Sequence, residues 1–137
     1  MTDNEKLVRL LQERKMSVTT AESCTGGLVA AEITDVEGSS EVFRRGFITY
    51  CDEAKHEMLG VPDEILQEHT AVSQQTAEAM VRGAAGKAQA DCAISVTGIA
   101  GPGGGTELQP VGLVYIGLYV QGMVIVERHL FDGDRRE

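Results

Sequence analysis

Ser23, Cys24 and Thr25 stand side by side in the stretch AESCTGG and are followed at once by Gly26 and Gly27. The preceding run MSVTT is β-branched and the following GGLVAAEIT turns apolar, so these hydroxyl and thiol groups fall on a strand-to-helix turn. At such a turn backbone N–H groups point outward at the positive end of a helix dipole, where an anion or a developing oxyanion can sit. A serine hydroxyl is a weak nucleophile until a base takes its proton, and a lysine can be that base when burial or a neighbouring cation lowers its pKa. Lys55, in TYCDEAK, is the candidate base, and Tyr50 could relay the proton or orient the lysine. The N–H groups of Thr25, Gly26 and Gly27 are the candidate oxyanion donors. Serine before a helix is more often only an N-cap, and lysine on a short helix only a solvated charge, so the pattern alone leaves both readings open.

A second chemistry-bearing stretch is GIAGPGGGTELQP, residues 98–110. Gly98, Gly101, Gly103, Gly104 and Gly105 carry no side chains to hold a ligand away, and successive N–H groups in such a loop can form an anion nest. A flexible hairpin-like connection is the alternative. Thr97 with Gly98 follows the strand beginning at Asp91, as Ser23 follows the first strand, and ligands in open α/β sheets bind beyond the carboxyl ends of strands. The three stretches can therefore face one crevice. No GxxxxGK[ST] occurs, and no GxGxxG follows the first strand, so neither nucleotide-loop signature applies.

Cys24 is a rival nucleophile, although a small residue packed under the turn is the commoner role. His56, His69 and His129 offer no thiolate–imidazole or metal-ligand spacing, and Cys24, Cys51 and Cys92 are too scattered for a CxxC pair. Free thiols, no metal and no cofactor are expected.

The elements that must position these groups follow from periodicity. Residues 4–15 form an amphipathic helix with Leu7, Leu10 and Leu11 on one side and Asp3 as its cap. Residues 17–21 are a first strand, 26–34 a second helix with Ser23 and Thr25 as N-cap candidates, and 35–41 a polar loop. Residues 42–51 form a strand in which Gly46 marks a bulge or a close approach. A short helix over 53–59, capped by Asp52, ends at Gly60 and Pro62; another covers 62–68. Ser73 opens a long helix over 74–89, with Ala77, Met80, Val81, Ala84 and Ala88 on a face small enough to pack tightly on a sheet. A buried strand over 91–97 precedes two strands, 111–120 and 123–131, joined by a tight turn at Gln121-Gly122. This order predicts a single-domain, three-layer α/β/α fold with a mixed sheet over residues 1–137, of which 132–137 are a surface tail or the start of a helix.

A chain of 137 residues supports one core, and its formal net charge of -9, without a basic stripe, argues against nucleic acid. No apolar stretch reaches membrane-spanning length and the N-terminus lacks a signal-peptide core, so a cytoplasmic protein acting on a small molecule is expected. The apolar hairpin 111–131 could offer an edge for homo-oligomerisation, although burial in the sheet would explain the same residues.

In order and spacing, AESCTGG, GFITYCDEAKHEMLGV, TAVSQQTAEAM and SVTGIAGPGGGTELQPVGLVYIGL resemble the C-terminal domain family of CinA, whose stand-alone members are nicotinamide-nucleotide amidohydrolases of the PncC type. The match runs over residues 7–135. The resemblance implies hydrolysis of the carboxamide of nicotinamide mononucleotide to nicotinic acid mononucleotide and ammonia, a step of pyridine nucleotide salvage that needs no redox cofactor. It implies that Ser23 is the nucleophile and that Lys55 belongs to its activating network. Tyr50 and Thr97 match family active-site positions, and the glycine-rich loop would cradle the nucleotide substrate. A catalytically weak nucleotide-binding or regulatory module is the alternative. Family members continue past GDR with a helix bearing further arginines, to one of which Arg135 and Arg136 are not matched, and many carry an N-terminal molybdopterin-binding-like domain.

Overall fold

A computed structural model describes residues 1–101, 103–107 and 109–132. Helix α1 (Asp3–Arg14) begins in a capping box: the Thr2 hydroxyl accepts the Glu5 N–H at 3.2 Å while the Glu5 carboxylate accepts the Thr2 N–H at 3.4 Å. Thr2, not Asp3, is therefore the cap, because its side chain reaches the third helical amide. Val8 and Leu11 form the buried stripe of α1, and Leu10 is 45% exposed, rotated off the face that docks.

Strand β1 (Val18–Glu22) is followed by α2 (Leu28–Thr34), a 3-10 turn (Ser39–Glu41) and β2 (Phe43–Ile48). Helices α3 (Asp52–Leu59), α4 (Asp63–His69) and α5 (Gln74–Ala88) then lead to β3 (Cys92–Gly98), β4 (Leu113–Val120) and β5 (Met123–Leu130). The strand order is β2-β1-β3-β4-β5, with β1 parallel to β2 and β3 and the last two strands antiparallel. Two apolar clusters lie on opposite faces of this sheet. Ala21, Phe47 and Ala93 pack with Met80, Val81 and Ala84 of α5; Val18 and Cys92 pack with Val8 and Leu11 of α1 and Ile33 of α2. The alternation of faces along each strand separates the clusters and makes the three layers.

Gly46 serves both purposes foreseen for it. Val18 pairs with Phe43 and Thr20 with Gly46, so β2 carries one extra residue over that interval. A Cβ on Gly46 would lie 2.8 Å from Thr20 Oγ1. The small face of α5 is likewise pressed on its neighbours: Ser95 Oγ donates to the Ala77 carbonyl at 2.8 Å, and a Cβ on Gly83 would overlap the Leu59 carbonyl of α3. The Gln121-Gly122 turn has positive φ at both residues, 45° and 93°, the type I′ form that matches strand twist.

The hairpin is less buried than its apolar sequence suggests. Leu118, Met123 and Ile125 are 40%, 72% and 57% exposed, because α1 and α2 cover β1–β3 and not the face of β4 and β5 beside them. Among the described residues no helix is long and apolar enough to cross a membrane. Asp134, Arg135 and Arg136, with most of the expected tail over 132–137, lie outside the described residues.

Candidate active site

The connection from β1 runs to β2 on one edge, and the chain then returns past β1 to β3, so the strand neighbouring β1 switches sides at its carboxyl end. Loops diverging from such a switch point leave a crevice. A pocket of about 270 Å³ opens there, bounded by Ser23, Cys24, Tyr50, Asp52 and Lys55 on one side. Ala71, Val72, Thr97 and the loop residues Gly98, Ile99, Ala100, Gly101, Gly103 and Gly104 complete it. The three stretches singled out in the sequence thus share one cavity.

Ser23 is the first residue beyond β1, and its N–H extends the ladder by donating to the Val96 carbonyl at 2.9 Å. Lys55, on the first turns of α3, is 1% exposed, and its Nζ donates to Ser23 Oγ at 3.0 Å and to the Thr49 carbonyl at 2.9 Å. The solvated-lysine alternative is thereby excluded. Burial lowers the Lys55 pKa, because a dry surrounding disfavours the ammonium, while Asp52, Cys51 and Cys24 pull more weakly in the other direction. Once deprotonated, Nζ presents a lone pair along the same 3.0 Å contact and can take the serine proton.

Glu22 is the residue that sequence reasoning missed. It is fully buried, and its Oε1 accepts the Thr25 hydroxyl at 2.7 Å, the Gly27 N–H at 3.2 Å and the Val29 N–H at 2.8 Å. Its Oε2 accepts the Ala30 N–H at 3.0 Å. This carboxylate, reaching in from the strand, caps α2 from behind; neither Ser23 nor Thr25 is the N-cap, which is Gly27 with φ 111° and no capping side chain. The expected oxyanion donors are corrected accordingly. Gly27 N–H is committed to Glu22, Gly26 N–H donates to the Ser23 carbonyl at 3.0 Å, and Thr25, Gly26 and Gly27 do not line the pocket. A strand-like Glu before Ser carries no sequence signal of such a role, because its partners are amides made adjacent only by the turn.

Asp52 does not cap α3; the N-cap position is Cys51, without a side-chain capping bond, and Asp52 lines the pocket instead. Thr97 is 1% exposed, and its hydroxyl donates to the Ala71 carbonyl at 2.7 Å, tying the turn before α5 to the end of β3. Tyr50 is 60% exposed at the rim. Gly105 lies outside the lining, pressed on Val111, which a Cβ would meet at 2.7 Å. Across the mouth, Gln109 Nε2 donates to the Val72 carbonyl at 2.8 Å and to Thr70 Oγ1 at 3.1 Å, holding the glycine-rich loop against the α4–α5 turn. No histidine borders the pocket: His56, His69 and His129 sit beside Asp63, Glu68 and Glu127. Among the described residues no group of three His, Cys, Asp or Glu side chains is placed to hold a metal ion.

The family model described as CinA C-terminal domain matches residues 2–137. A protein of Caldicellulosiruptor bescii named as competence-damage inducible is 55% identical over 131 residues, 96% of this chain and 32% of that protein. A CinA-like protein of Citrifermentans bemidjiense is 52% identical over 132 residues, again 96% of this chain and 32% of the relative. The chain therefore spans about a third of the length of these curated relatives. The crystal structure of the competence damage-inducible protein A from Klebsiella pneumoniae superposes with a TM-score of 0.94 at 38% identity, covering 97% of this chain and 83% of that one.

Proposed function

The chain belongs to the CinA C-terminal domain family, and on that premise we propose that it is an amidohydrolase that cleaves the carboxamide of nicotinamide mononucleotide to nicotinic acid mononucleotide and ammonia. The observation that carries the reading is the buried contact of 3.0 Å between Lys55 Nζ and Ser23 Oγ at the wall of the pocket. In this reading the Lys55 amine takes the hydroxyl proton as Ser23 Oγ bonds to the amide carbon. Collapse of the tetrahedral intermediate breaks the C–N bond, and Lys55 returns the proton so that ammonia departs. Water then attacks the acyl-serine with Lys55 as base, releasing the carboxylate and restoring the hydroxyl.

Because Gly26 and Gly27 amides are engaged within the turn, the oxyanion falls to backbone N–H groups of the glycine-rich loop on the facing wall. The same loop suits the phosphate, since the positive end of α2 is already filled by Glu22. Tyr50, exposed at the rim, carries an aromatic ring beside the pocket that the pyridine would occupy. The test is ammonia and nicotinic acid mononucleotide release from nicotinamide mononucleotide by the wild type beside Ser23→Ala. Turnover that survives Ser23→Ala would refute the nucleophile. Saturable nucleotide binding with no ammonia would replace the enzyme by a binding or regulatory module.

A further inference from the structure

We propose that Glu22 is a positioning residue for Ser23: its buried carboxylate locks the turn that aims the hydroxyl at Lys55. The inference rests on the reading of Ser23 as a nucleophile, not on the identity of the substrate. Glu22 has no exposed surface, and among the described residues its side chain bonds to one segment, residues 25–30. Those donors belong to the residues immediately after Ser23, and the Glu22 backbone is the residue immediately before it. Ser23 is thus held on both sides by one group.

The arrangement is chemically selective. Both oxygens act only as acceptors, one for three donors and the other for the Ala30 amide. Glutamine in the same place keeps at best the three donors on Oε1 and sets its NH2 against the Ala30 N–H. An ordinary N-cap would sit at Gly27 and would satisfy α2 without touching the serine. Placing the acceptor on the strand instead ties the end of β1 to the start of α2, and the β1 end is also where Glu22 carbonyl accepts the Thr49 N–H at 2.8 Å. Thr49 carbonyl in turn holds Lys55 Nζ. One residue therefore connects, through its side chain, to the nucleophile's turn and, through its backbone, to the segment that fixes the base.

The test reads Ser23 directly with a fluorophosphonate, in which Ser23 Oγ forms a bond to phosphorus, fluoride leaves and the hydroxyl proton passes to Lys55. Labelling is measured per folded molecule for wild type, Glu22→Gln, Thr25→Val and Thr25→Ser, alongside Tm and the kcat and KM of each. The expectation is a labelling rate and kcat lowered on the order of tenfold to a hundredfold in Glu22→Gln, as for a reacting atom displaced by a fraction of an ångström to an ångström. KM should change much less. Thr25→Val, which removes one donor, should fall in the same direction, and Thr25→Ser, which keeps it, should restore the rate. Wild-type labelling in Glu22→Gln with only Tm lowered would overturn the proposal by making Glu22 a structural cap. If Glu22→Gln does not fold, slowed labelling in Thr25→Val rescued by Thr25→Ser supports it, and unaltered labelling in Thr25→Val refutes it. Labelled wild type that leaves nicotinamide mononucleotide intact would refute the substrate alone.

Discussion

Ser23 and Lys55 sit on different elements, one at the end of β1 and one in α3, yet Nζ and Oγ meet at 3.0 Å with almost no solvent access to the lysine. A buried lysine with no carboxylate in hydrogen-bond contact among the described residues is costly to the fold, since its hydrogen bonds there go to a neutral hydroxyl and a neutral carbonyl. Such a cost is sustained where a depressed pKa is useful.

Replacing either member should abolish turnover while leaving the fold. Ser23→Ala and Lys55→Met are each expected to lower kcat/KM on the order of 10⁴-fold or more, and the double variant little further, because the pair acts as a unit. Steady-state ammonia release measures this, with circular dichroism as the control for folding. Independent, multiplicative losses would mean that the contact is not the working dyad.

The lowered pKa of Lys55 has a sign in stability. Between its folded value and the ordinary 10.5, the unfolded chain holds a proton on this amine that the folded chain has shed. Raising the pH through that window therefore favours the folded state. Lys55→Met should be the more stable protein at neutral pH, and its advantage in Tm should shrink as the pH approaches 10.5. Thermal melts across that range decide it; a constant difference would show that burial has not moved the amine.

Gly83 should tolerate no side chain. Its Cβ would overlap the Leu59 carbonyl, at the end of the helix that carries Lys55. Gly83→Ala is expected to cost about 1–3 kcal/mol in urea unfolding despite its higher helix propensity. It should also slow turnover by shifting α3. Gly86, on the same helix with open space around its Cβ position, is the control, and Gly86→Ala should be neutral or stabilising.

Gln109 should act on binding and not on chemistry. Its two bonds to the α4–α5 turn join the loop to the opposite rim without touching Ser23 or Lys55. Gln109→Ala is expected to raise KM by roughly fivefold, the equivalent of about 1 kcal/mol, with kcat nearly unchanged. A fall in kcat alone would place the loop in the chemical step.

Much of this was legible from residue order. The alternation of periods predicted the mixed sheet between helical layers, and the positions of Ser23, Lys55, Thr97 and the glycines after strands placed them at one end of it. The errors were local. Thr2, Ser23, Thr25 and Asp52 all have side chains able to cap, and which one does depends on turn geometry of about one residue in register. The apolar residues of the hairpin, Leu118, Met123 and Ile125 among them, suited an exposed edge and burial in the sheet equally, because how far α1 and α2 extend over the sheet is a question of packing between distant segments.

By itself, the sequence determined the element types, the family and the set of side chains that could react, because periodicity and residue chemistry are local properties. Only the tertiary structure decided that Lys55 is dry and within reach of Ser23, that Glu22 takes the Gly27 N–H expected for an oxyanion, and that Thr25, Gly26, Gly27 and Gly105 stand outside the cavity. Burial and hydrogen-bond partnership arise when segments far apart in the chain displace water from one another, and no spacing within a single segment records that event.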